Sequence, residues 1–106
     1  MFINDCHCHF FSDRFFKLLA AQRAEHLGNT PEEILQDLAW DAPGSSSELS
    51  NRWVQELDKN QVKRAALIAS VPDDQESVAV AVAQHPKRFV GFFMVDPTLD
   101  GTVEKI

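Results

Sequence analysis

The residues of this chain best suited to chemistry stand within its first nine positions, in the run Asp5-Cys6-His7-Cys8-His9. Side chains alternate along a strand. His7 and His9 would therefore share a face, with Cα atoms about 6–7 Å apart, and Cys6 and Cys8 would take the other. Two imidazoles so placed can converge on one cation. Ring nitrogens bind zinc and its neighbours at about 2.0–2.1 Å, and a catalytic site adds a third protein ligand and an open position for water. His7 and His9 are accordingly the candidate metal ligands, with zinc the first choice of divalent ion. Asp5 is expected on their face, one step deeper in the strand, where it could brace a histidine. The competing reading of the pair is bland: two histidines near a terminus can be solvated or bonded to a backbone carbonyl. A soft metal or redox site using the thiols is disfavoured, because alternation separates the sulfurs from the imidazoles. Cys6 and Cys8 are expected to be free thiols, packed as small apolar groups between strand and helix.

Other candidates are weaker. His26 and His85 fall near expected helix ends, where a positive side chain complements the dipole. Trp40, beside Asp41 in a loop, could touch a substrate, whereas Trp53 lies on the apolar stripe of a helix and belongs to the core. Asp96 follows an apolar run at the end where ligands of α/β folds bind, although Asp-Pro is also a common way to leave a strand. There is no Gly-X-Ser-X-Gly elbow and no Gly-rich phosphate loop, which disfavours a serine hydrolase and a nucleotide-binding domain.

The elements that must position these residues can be read from periodicity. A strand is expected over about Phe2 to Cys8. Ser12-Asp13 offers an N-cap for a helix carrying Phe15, Phe16, Leu18 and Leu19 and ending near Gly28. Thr30-Pro31-Glu32-Glu33 reads as a capping box with Pro at the first helical position, opening a short helix through Ile34, Leu35 and Leu38. After a Pro-Gly-Ser loop over 41–47, Ser45 and Glu48 form a second box, and Leu49, Trp53, Val54 and Leu57 make one apolar stripe up to about Asn60. Arg64 to Val71 is an apolar run suited to a strand buried on both faces. Asp73 and Glu76 bracket the next helix start, and His85-Pro86 ends that helix. Phe89 to Val95 is the last apolar run, and Thr98 to Ile106 begins another helix. Strands alternating with helices imply parallel strands joined by right-handed crossovers. The expected class is therefore α/β, with a helical insert at about 11–47. Its outer strands would present unpaired edges, the pattern of a piece of a larger sheet.

Composition narrows the partners. Ten Lys and Arg against sixteen Asp and Glu give a net charge of −6 over 106 residues. Nucleic acid and anionic membrane are disfavoured, since phosphate binding needs clustered positive charge. No run approaches the roughly 18 apolar residues of a membrane span, and no basic, apolar leader follows Met1, so the cytoplasm is the expected compartment.

Taken together, Ile3-Asn4-Asp5-Cys6-His7-Cys8-His9-Phe10 resembles the opening of the amidohydrolase superfamily, whose His-X-His signature ends strand one of a (β/α)8 barrel. The stretches Trp53 to Val62, His85-Pro86-Lys87-Arg88-Phe89-Val90-Gly91-Phe92 and Val95-Asp96-Pro97 are similar to the amidohydrolase-related branch that includes aminocarboxymuconate-semialdehyde decarboxylase and gamma-resorcylate decarboxylase. Residues 11–47 match nothing in that pattern. The resemblance implies that His7 and His9 are strand-one metal ligands, and that a further His and an Asp on later strands complete the site. It also implies hydrolysis or decarboxylation of a small carboxylic-acid substrate. A barrel of this type needs about 250 residues. The chain is thus expected to supply its first three βα units, with catalytic residues beyond position 106 and homo-oligomers possible for the family. The alternative is a non-catalytic chain that pairs through its sheet edges with a complementary half or another subunit.

Overall fold

A computed structural model describes residues 2–24 and 30–105. The elements run β1 (Ile3–Phe10), α1 (Asp13–Ala24), α2 (Pro31–Leu38), α3 (Ser46–Lys59), β2 (Val62–Ala69), α4 (Gln75–Gln84), β3 (Phe89–Phe92) and α5 (Thr102–Lys105). The three strands form one parallel sheet in the order β1-β2-β3. The α/β class with parallel strands is as the alternation of periods implies. The expected helix end at Gly28, and His26, lie outside the described residues.

Local chemistry explains most boundaries. In α2 the Thr30 hydroxyl accepts from the Glu33 N–H while the Glu33 carboxylate accepts from the Thr30 N–H, and Pro31 occupies the first turn. Ser45 and Glu48 repeat this reciprocal pair at α3. Each box satisfies two of the amides that a helix start leaves without partners. Gly44, with φ +71°, makes the turn into Ser45, and a Cβ there would strike the Glu48 carboxylate that completes the box.

The core lies between the sheet and the layer of α3 and α4. Phe10, Leu67, Ala65, Ala69 and Phe89 from the strands meet Leu49, Leu57, Val78 and Ala81 from the helices, with Trp53 and Val54 partly buried at its margin. Gly91 lets β3 close on α4, since a Cβ would come 3.2 Å from Val82 Cγ2. Arg88 ties the start of β3 to the α3–β2 turn through the carbonyls of Lys63 and Val62 and the Asp58 carboxylate. Within the His85–Phe92 block, Arg88 is thus a tie and Phe89 a core residue.

A second, smaller core belongs to the insert: Phe16, Ala20, Ile34 and Leu35, with Phe11, Phe15 and Leu19 against them. A polar seam joins this insert to the sheet. The Ser12 hydroxyl, which accepts from the Phe15 N–H, donates to the buried Asp74 carboxylate at 2.6 Å. The Ser77 hydroxyl lies 3.1 Å from the same oxygen.

Four expectations need correction. β1 runs on to Phe10, because Cys8 and Phe10 pack into the core alongside β2. β3 stops at Phe92, so Phe93, Met94 and Val95 lie outside it with exposed side chains. At α4 the capping position is Asp74 rather than Asp73. The Asp74 carboxylate turns to Ser12 and Ser77 instead of the helix amides, and Asp73 takes φ +67°. Thr98 to Gly101 is turn, and only Thr102–Lys105 is helical.

Candidate metal centre

β1 is an outer strand of the sheet, and its carboxyl-terminal half carries His7 and His9. Pairing runs Asp5↔Ala65 and then Cys8↔Leu67, so Cys6 and His7 together stand opposite Ala66 alone. This is a β-bulge, a device that bends a strand and re-aims its side chains. Beyond it the register resumes with His9↔Ile68 and Phe10↔Ala69.

The two imidazoles meet. Their Nε2 atoms are 3.1 Å apart, and the rings stand nearly edge to face with centroids 4.9 Å apart. Two nitrogens bound to one ion at about 2.0–2.1 Å each lie roughly 3 Å from one another, so the pair fits two positions of such a site. His9 Nδ1 lies 2.8 Å from Ser70 Oγ, just past β2. Phe11 stacks on the outer side of the His9 ring at 5.7 Å with planes 11° apart. Among the described residues there is no group of three or more His, Cys, Asp and Glu side chains placed to hold a metal ion.

Asp5 departs from its expected place. The extra residue in the bulge reverses the alternation, so Asp5 pairs with Ala65 on the helix-facing side, where Cys8 also lies. Its carboxylate accepts from the His7 backbone N–H at 3.0 Å and not from an imidazole. That backbone bond, then the Cys8 thiol, holds the Asp5 carboxyl below the ordinary carboxylate range. The brace acts on the peptide of His7. The two free cysteines also differ: Cys8 is buried as expected, but Cys6, one of the two residues in the bulge, is exposed.

The remaining candidates sort by position. Trp40 stands half exposed at 49%, stacked on Phe11 at 5.8 Å and edge-on to Phe16. With His9, Phe11, Asp41, Arg52 and Trp53 it lines an open cleft of about 380 Å³, within the size range of small-molecule sites. The Arg52 guanidinium beside it already donates to the carbonyls of Ala42 and Pro43. Spacing gave no sign that Arg52 belongs here, because the loop over 41–45 brings it in. Asp96 is engaged by its own turn: the Thr98 hydroxyl, then the Thr98 N–H, lowers its carboxyl. His85 is held against Asn51 at 2.8 Å.

Comparison of the chain with family models, with curated proteins and with solved structures gave no match. No helix among the described residues is long and apolar enough to cross a membrane.

Proposed function

We propose that this chain provides the opening βα units of a (β/α)8 metal-dependent hydrolase or decarboxylase of the amidohydrolase superfamily, acting on a small carboxylic acid. His7 and His9 would be two of the protein ligands of a divalent cation, zinc foremost. The observation that carries the reading is the 3.1 Å approach of two Nε2 atoms at the carboxyl end of a parallel strand, where α/β enzymes assemble their sites. The two faces of the sheet add support. In such a barrel each strand turns one face to the helices and the other to the interior. Here α3 and α4 cover the face of Leu67 and Phe89, while His9, Ile68 and Phe92 pair across the other.

When bound, the ion would polarise a substrate carbonyl or carboxylate and acidify bound water. The chain's own residues supply orientation and enclosure. Ser70 and Phe11 fix the His9 ring from two sides, and Asp5 fixes the peptide that carries His7. Trp40 and Phe11 offer a flat apolar wall beside His9, and Arg52 is the cationic side chain among the residues lining that cleft.

The test is titration of the chain with zinc or cobalt(II), comparing the native sequence with the His7→Ala/His9→Ala double variant. The native chain is expected to bind and the double variant to lose binding, with loss of the ligand-field bands of cobalt. Equal affinity in both would sink the proposal.

Val90 and Phe92, 54% and 55% exposed on the uncovered face of the sheet, favour a second reading. In it the chain is a non-catalytic module that pairs through its sheet edges with a complementary half or a second copy. Sedimentation of the metal-free chain separates the two: a stable assembly unaffected by the loss of both histidines favours the second.

A further inference from the structure

The contacts around His9 point to a place for its ring proton. Ser70 has one hydroxyl proton, and its Oγ lies 3.3 Å from the Ile68 carbonyl, to which it donates. With the hydroxyl proton on that carbonyl, Ser70 Oγ accepts at the 2.8 Å contact with His9 and the Nδ1 of His9 donates, the reverse direction being the outcome that the NMR experiment below would reveal. A neutral imidazole carries one N–H, so His9 Nε2 is left with a free lone pair. The 3.1 Å contact between the two Nε2 atoms then requires the N–H to belong to His7. The chain of donors runs His7 Nε2–H to His9 Nε2, His9 Nδ1–H to Ser70 Oγ, and Ser70 O–H to the Ile68 carbonyl.

We infer that Ser70 is a positioning residue that presets His9 in the tautomer a cation needs, making His9 the prepared ligand of the pair and His7 the one that must change. The proton assignment rests on geometry alone, while its consequence for cation affinity rests on the metal-dependent reading proposed above. A ligating histidine donates its other ring N–H to a fixed acceptor, which orients the ring, and removing such an acceptor typically costs about 10–100-fold in metal affinity. Ser70 is half-buried and stands at the end of β2. Loss of its hydroxyl leaves Leu67 and Ala69, which hold that strand in the core, untouched.

The experiment has two readouts on the full chain. The first is long-range nitrogen–proton NMR of the imidazoles in the metal-free protein. The native chain is expected to show the Nδ1–H form for His9 and the Nε2–H form for His7. Ser70→Ala should lose the first, and Ser70→Thr, which keeps the hydroxyl, should restore it. The second is zinc affinity, expected to fall about 10–100-fold in Ser70→Ala and to return in Ser70→Thr. A native His9 in the Nε2–H form, or a Ser70→Ala chain with His9 and zinc affinity unchanged, overturns the inference. If His9 shows the Nδ1–H form under Ser70 control but the native chain binds no zinc, the positioning role stands and the metal reading falls.

Discussion

The Cys8 thiol and the Asp5 carboxylate are neighbours across the bulge of β1, and the two groups move each other's ionisation in opposite directions. Burial first, and the Asp5 carboxylate second, push the Cys8 thiol up to about 11. At pH 8 a thiol of that pKa is ionised to roughly one part in a thousand, and the thiolate is the reactive species. Iodoacetamide is therefore expected to label Cys6 in the native chain and to reach Cys8 only after unfolding. Mass spectrometry of the labelled peptide, with Cys6→Ser as the control, checks this. Fast labelling of both thiols would contradict it.

Asp5 gives a pH dependence of definite sign. Its folded pKa lies below the unfolded value, through the His7 backbone N–H first and the Cys8 thiol second. The stability it contributes is therefore present above the unfolded value, about pH 4, and is lost as pH falls through the folded pKa. Asp5→Asn is expected to melt below the native chain at pH 6, with the gap closing as pH drops below about 4. Melting curves across that range are the measurement, and a gap that persists at pH 2 would refute the assignment.

Gly91 is a point where β3 lies close against α4. A Cβ there would stand 3.2 Å from Val82 Cγ2 and 3.4 Å from Val78 Cβ. Overpacking of this kind costs about 1–3 kcal/mol, so Gly91→Val should lower the denaturant midpoint with an unchanged slope. An equal or higher midpoint would show that α4 can yield.

At the seam between insert and sheet, Ser12→Ala removes one of the two hydroxyls on the Asp74 carboxylate and the acceptor of the Phe15 N–H. A buried polar group left short of a partner costs about 1–3 kcal/mol. The expected result is a lower melting temperature, together with faster hydrogen exchange at the first turn of α1. Loss of stability without faster exchange there would place the effect elsewhere.

The architecture was legible where local rules decide. The capping boxes at Thr30 and Ser45, the stripe of Leu49, Trp53 and Leu57, and the parallel order of the strands all follow from spacing. What escaped depends on residues far apart in sequence. The bulge arises because β1 and β2 differ by one residue between Asp5–Cys8 and Ala65–Leu67. Nothing in Asp5-Cys6-His7 by itself announces that Asp5 will change sides. The Asp74 carboxylate is drawn from its helix by a hydroxyl 62 residues away. Ser70 is an ordinary residue after a strand until β1 is laid beside it.

The buried Asp74 carboxylate has a consequence for how the molecule comes apart. α1 packs on α2 and reaches the sheet chiefly through Ser12 on Asp74 and Arg14 on the Asp73 carbonyl. A helical hairpin with its own small core would ordinarily open on its own. Here opening would strand a carboxylate at the mouth of β2, so the cheapest escape is for α4's first turn to loosen in the same event. The insert and the first turn of α4 are thereby joined through one buried carboxylate, which Ser12 shares with Ser77.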